Sequence, residues 1–214
     1  MQSTVPAVNV LFVHGMGRSS LSGWPLLRQL KRAGLTTTTF GYIVSLEDFV
    51  RIKGRLASRI SALAARGDYV LIGHSLGGVL LRAAVNSMSA KTQQPRHVFL
   101  LGSPLQPARL AISLGSNPIY RTLTRDCGQL LGSVSRMADV GPVSAPTTGI
   151  AGIRGMSWKP SPFGVELNDG VVSLSEVSAD WLTDQVQVSS VHTLLPSSKR
   201  VAEIILERLE RKVA

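Results

Sequence analysis

One serine in this chain stands where a side-chain hydroxyl can become a nucleophile. Ser75 lies in Gly73-His74-Ser75-Leu76-Gly77-Gly78, a match to G-x-S-x-G. The match follows the apolar run at 69–73, which reads as a buried strand, and opens a helix predicted over 76–90. A serine between strand and helix occupies a tight, strained turn that lifts its oxygen above the sheet. Residues two places either side must be small to clear the adjacent strand and helix, and Gly73 and Gly77 meet that need. The helix start also offers unpaired N–H groups and the positive end of its dipole to a developing oxyanion. A hydroxyl attacks poorly at neutral pH, so a neutral imidazole must take its proton and a carboxylate must fix the imidazole tautomer. The chemistry would be acyl transfer through a covalent acyl intermediate. The bland reading is a glycine-rich turn with an idle serine.

A second glycine-rich loop, His14-Gly15-Met16-Gly17-Arg18, follows the apolar run at 8–14. Such a loop at a strand's carboxyl end can supply a second N–H donor facing the nucleophile. Its competing reading is a dinucleotide-binding turn. Gly15, Gly17 and Ser20 give G-x-G-x-x-S, which lacks the third glycine, and no Asp or Glu ends the following strand to hold a ribose. No organic cofactor is expected.

Both loops need a scaffold of alternating strands and helices. Strands are predicted at 8–14, 36–42, 69–73, 97–102, 148–154 and 185–191. Helices are predicted at 23–33, 45–66, 76–90 and 197–212, the second opening on a capping box from Ser45 to Asp48. Strand–helix alternation implies an α/β fold, with a mostly parallel central sheet and helices on both faces. Reactive loops then sit at the carboxyl ends of the strands. The expectation is a single domain over 1–214. The least regular stretch is 105–146, with helical candidates at 107–114 and 122–137 broken by glycine and proline. It is a candidate cap or lid. Its apolar residues Leu110, Ile112, Leu114, Ile119, Tyr120 and Leu123 either line an acyl pocket or complete the core.

The phrases VLFVHGMG at 10–17 and GHSLGG at 73–78 resemble the α/β-hydrolase superfamily, and within it small bacterial lipases and esterases with little or no cap. VFLLGSP at 98–104 is similar to a lipase strand that usually ends in Gly-Thr-Pro, with Ser103 here in place of threonine. The resemblance implies an α/β-hydrolase fold and an order of serine, acid, histidine. It implies Ser75 as nucleophile and the backbone N–H groups of Met16 and Leu76 as the oxyanion hole. Of four histidines, His192 alone follows the serine at a distance, after the last predicted strand, in the family's place for the base. Asn168-Asp169-Gly170-Val171-Val172 resembles the signature around the lipase acid, which makes Asp169 the leading candidate over Asp139, Glu166 and Asp180. The implied activity is hydrolysis of carboxylic esters. Rival readings are a thioesterase, acyltransferase or amidase with the same residues, a non-catalytic binding module on the same scaffold, and a nicotinamide-dependent reductase.

Composition narrows the setting. The chain has 214 residues, 44% hydrophobic and 17% charged, which argues against disorder. The lone Cys127 requires no oxidising compartment and reads as a packing residue. No metal-ligand spacing is present, although a calcium held by carboxylates and carbonyls stays open. The net charge of +10 is large. Its basic residues are scattered, with Arg51, Lys53, Arg55, Arg59 and Arg66 on one helical stretch and Lys199, Arg200, Arg208, Arg211 and Lys212 near the end. They lack aromatic interleaving, so nucleic acid is not an expected partner. A small-molecule or lipid ester is the expected substrate, and an anionic membrane surface an expected contact. With no signal peptide or membrane-spanning run in view, a cytoplasmic location is expected, a secreted mature form staying open.

Overall fold

The central strands are buried at nearly every position because helices cover both of their faces. The computed structural model describes residues 8–155 and 161–210. In it, β1 (Asn9–Val13), β2 (Thr36–Phe40), β3 (Tyr69–His74), β4 (His97–Leu101), β5 (Thr147–Gly152) and β6 (Asp184–Val188) form one parallel sheet in the order β2-β1-β3-β4-β5-β6. Side chains alternate between two core layers. Leu11, Val13, Leu71 and Leu100 face one layer, with α2 (Phe49–Ala64) and α3 (Leu76–Asn86). Val10, Phe12, Ile72 and Phe99 face the other, with α1 (Trp24–Arg32) and α7 (Lys199–Glu210). The strand order reverses direction between β1 and β3, so the loops leaving those two strands diverge and open a crevice at the carboxyl edge.

The expected elements are present with shifted ends. α2 begins at Phe49, not at Ser45, because Asp48 is extended (φ −78°, ψ 167°) and caps the helix itself, accepting the Arg51 N–H at 2.7 Å. Residues 43–47 instead form a turn closed on the Ile43 carbonyl. The last strand ends at Val188, because the Ser190 N–H folds back onto the Val188 carbonyl at 2.7 Å and the chain leaves the sheet.

The 105–146 segment is helical for much of its length. α4 (Arg109–Leu114), α5 (Pro118–Gly132) and α6 (Val134–Val140) replace the two expected helices. Ser133 is extended and splits the 122–137 candidate, its hydroxyl capping α6. Arg125 kinks α5 at φ 45° and ψ −132°, and its guanidinium donates to the Ser45 carbonyl at 2.8 Å. Asp126 accepts the Phe49 N–H at 3.0 Å, which ties α5 to the start of α2 at the carboxyl edge. Cys127, Leu130, Met137 and Val140 supply the core beneath this segment. Ile112, Ile119 and Leu123 are exposed, so the core-completing alternative fails for them. Among the described residues no helix is long and apolar enough to cross a membrane.

The capping geometry makes a direct prediction. Asp48→Ala should lower unfolding free energy by about 1 kcal/mol, whereas Ser45→Ala should leave it unchanged. Urea denaturation of the two variants compares them, and equal effects would return the cap to Ser45.

Candidate active site

Chain direction brings the candidate residues to the carboxyl edge of the sheet. Ser75 alone separates β3 from α3, at φ 53° and ψ −126°. Among the described residues only Arg125 shares a positive φ without being glycine. The turn is held by the Ser75 N–H donating to the Leu101 carbonyl at 2.9 Å and the Gly78 N–H donating to the Ser75 carbonyl at 3.0 Å. A β-carbon on Gly77 would overlap the Val13 carbonyl oxygen, so α3 can cross β1 this closely only as glycine. Ser75 is half-buried, and its β-carbon borders Gly15 of the neighbouring loop.

His192 and Asp169 meet in a buried pair. The His192 Nδ1–H donates to Asp169 Oδ2 at 2.7 Å. The other carboxylate oxygen accepts the N–H groups of Val171 and Val172 at 3.0 and 2.9 Å, and the His192 N–H donates to the Asp169 carbonyl at 2.9 Å. Because a carboxylate only accepts, Nδ1 carries the proton and Nε2 is left with its lone pair. Gly102 (φ 52°) lies beneath the pair. A β-carbon there would come within 3.0 Å of Asp169 Oδ2 and 3.1 Å of His192 Nδ1. His74 links this pair to Ser75. Its Nε2–H donates to the His192 carbonyl at 3.0 Å, and its ring centroid lies 4.8 Å from that of His192.

The loop after β1 is fixed by its own histidine. His14 Nδ1–H donates to the Gly15 carbonyl at 2.8 Å, and the Arg18 N–H reaches the same oxygen at 3.3 Å. The His14 ring stacks on Tyr42 with centroids 4.3 Å apart, and Tyr42 donates its hydroxyl to the His14 carbonyl at 2.7 Å. Across a trans peptide, a pinned Gly15 carbonyl sends the Met16 N–H the opposite way. Among the described residues neither the Met16 nor the Leu76 N–H donates to a protein acceptor.

The rival acids stand elsewhere. Glu166 pairs with Arg109, Asp139 borders a cavity of about 360 Å³ between α2, α3 and α6, and Asp180 is exposed. Cys127 is fully buried, and burial pushes its thiol up to about 12.

A family model for the alpha/beta hydrolase family matches residues 10–204. The chain belongs to that family. Among curated proteins none matches the sequence. Solved structures with the same fold include the mature lipase BlEst2 of Bacillus licheniformis, at TM-score 0.76 and 17% identity, covering 95% of this chain and 92% of that one. RedJ, a thioesterase from the prodiginine biosynthetic pathway of Streptomyces coelicolor, superposes at TM-score 0.57 and 14% identity over 95% and 86%. Tomato methylketone synthase I complexed with 2-tridecanone superposes at TM-score 0.66 and 12% identity over 96% and 98%. At these identities the likeness is one of fold.

Within this alpha/beta hydrolase, sequence reasoning missed two buried polar supports. Arg82 on α3 donates to the carbonyls of Gly141 at 2.9 Å and Pro104 at 3.2 Å, pinning both ends of the 105–146 segment. Glu176 accepts N–H groups of Arg109 and Ser173. An arginine inside the apolar helix LLRAAV was the available signal for the first. Glu176 left none.

The buried imidazoles set a pH dependence. Burial and the His192 ring push His74 down to about 3, and burial pushes His97, at the start of β4, down to about 4. Unfolded, each binds its proton near pH 6.5, so their stabilisation is full above that value and declines as pH falls towards 4. Unfolded carboxylates stay largely ionised over most of that window. The urea midpoint is therefore expected to fall from pH 7 to pH 5, and His97→Gln should flatten part of that slope. An unchanged slope in the variant would assign the effect to other groups.

Proposed function

We propose that this alpha/beta hydrolase is a serine esterase of lipase type, with Ser75 as nucleophile, His192 as general base and Asp169 as supporting acid. The observation that carries the reading is the buried His192–Asp169 bond at 2.7 Å, joined through His74 to the strained turn at Ser75. Its tautomer leaves Nε2 as the proton acceptor. In the proposed reaction Ser75 Oγ attacks the ester carbonyl as its proton passes to His192. The Met16 and Leu76 N–H groups receive the oxyanion. The imidazolium then protonates the departing alcohol, and water, deprotonated by His192, releases the acid and restores Ser75. Asp169 holds the imidazole in this orientation and tautomer through both steps.

Ser75→Ala should abolish labelling by a fluorophosphonate probe and lower kcat by about 10⁴-fold or more, with the fold intact by circular dichroism. Near wild-type ester hydrolysis in that variant would overturn the mechanism. A parallel panel of ester, thioester and amide substrates separates this reading from a thioesterase or amidase.

Lipid esters are the favoured substrates within this reading. Exposed Ile119 and Leu123 lie beside Arg121 and Arg125 on α5, and exposed Leu194 lies two residues from His192. Apolar groups of this kind suit acyl chains, and the +10 charge suits anionic headgroups. On p-nitrophenyl esters kcat/KM should rise from acetate to longer acyl groups. Co-sedimentation with phosphatidylglycerol vesicles should exceed that with phosphatidylcholine and weaken with added salt. A strict acetate preference without salt-sensitive vesicle binding would leave a small-molecule esterase.

A further inference from the structure

The hairpin that presents Asp169 is clamped at its base by a cation from another element. Its outgoing arm, 166–168, and returning arm, 173–175, are joined by a bridge between Asn168 and Ser173 and by the Leu174 N–H donating to the Leu167 carbonyl at 2.8 Å. Asp169 sits at the tip. Arg109, the first residue of α4, reaches both arms. Its Nη2 lies against the Glu166 carboxylate on the outgoing arm and the hydroxyls of Ser173 and Ser175, each at 2.8 Å, on the returning arm, sharing two hydrogens among the three acceptors. It also stands 6.0 Å over the Phe163 ring. The Arg109 N–H donates to Glu176, whose second oxygen accepts the Ser173 N–H at 2.6 Å. The second oxygen of Glu166 accepts the Ser175 N–H at 2.8 Å.

We infer that Arg109 is a positioning residue that holds the Asp169 hairpin in register with His192 and ties it to the start of α4. The inference rests on the proposed roles of Asp169 and His192. The contacts to both arms converge on one nitrogen, Nη2, while Nε stands 3.9 Å from Glu176, so the guanidinium meets the hairpin and Glu176 through two separate nitrogens. Two carboxylates converge on this one guanidinium, so removing it leaves two negative charges without their counter-ion at the hairpin base. Burial pushes Glu166 up, but hydrogen bonds from Ser175 and Arg109 outweigh it and hold the carboxyl at about 2, so the clamp stays charged at any working pH. Arg109 is partly exposed, and a pair of that kind adds little to global stability. Its effect therefore falls on the geometry of the tip.

The test compares Arg109→Met, Arg109→Lys and Asp169→Asn. The readouts are kcat, KM and the downfield proton resonance of the His192 Nδ1–H. Arg109→Met should fold, lose about 10- to 100-fold in kcat with a smaller change in KM, and weaken the downfield resonance. Arg109→Lys should recover only part of the loss. Unchanged kcat and resonance in Arg109→Met, with or without a lower melting temperature, would overturn the inference. If that variant does not fold, Glu166→Gln must show a smaller loss in kcat and a weakened resonance, and the absence of both overturns the inference equally. Wild-type activity in Asp169→Asn would instead remove the proposed acid, while the resonance still reports whether Arg109 holds the Asp169–His192 bond.

Discussion

Between His74 and Leu76 the chain must change from strand to helix within one residue, and Ser75 absorbs the change at φ 53°. A non-glycine residue held there costs roughly 1–3 kcal/mol. The surroundings leave it no alternative. β3 is fully buried in mid-sheet, α3 is buried along nearly its whole length, and Gly77 brings α3 against the Val13 carbonyl. The two backbone hydrogen bonds that close the turn contribute about 1 kcal/mol each. Relaxing Ser75 would break that packing, so the strain persists.

The same packing sets the histidines. His14, His74 and His192 each donate one ring N–H to a fixed oxygen, which assigns each tautomer. For His14 the result is a pinned Gly15 carbonyl. For His74 it is a tie between the Ser75 turn and the His192 backbone. Of the three, only His192 directs its bonded nitrogen to a carboxylate. Burial holds His74 at about 3, so the histidine beside the serine stays neutral at any pH where the proposed base would turn over.

The sheet was legible because both its faces are covered, which leaves runs such as Val70 to Ile72 with no polar residue to mislead. The glycines around Ser75 were legible because a close approach admits only one residue type. Helix ends were less so. Ser45 and Asp48 both suit a cap, and the choice fell to Asp126, far along the chain, which takes the Phe49 N–H. The kink at Arg125 had no local signal, since arginine ordinarily favours the helix. Glu176 and Arg109 were invisible for a related reason. Their roles arise from contacts between segments 57 to 67 residues apart, and charged residues in loops read as solvated.

A lipase, a thioesterase and a methylketone synthase all superpose on this chain, so the scaffold tolerates different chemistry. An imidazole that takes a proton from serine, and two N–H groups that receive an oxyanion, act on a carbonyl whatever leaves it. Discrimination between leaving groups and acyl chains must come from side chains around the crevice. Exposed apolar side chains are found at Ile43 and Leu46 after β2, at Ile112, Ile119 and Leu123 on α4 and α5, and at Val165 and Leu167 on the way to Asp169. They belong to the segments whose course the sequence defined least. These exposed segments are free of the close packing that made the sheet and the Ser75 turn readable.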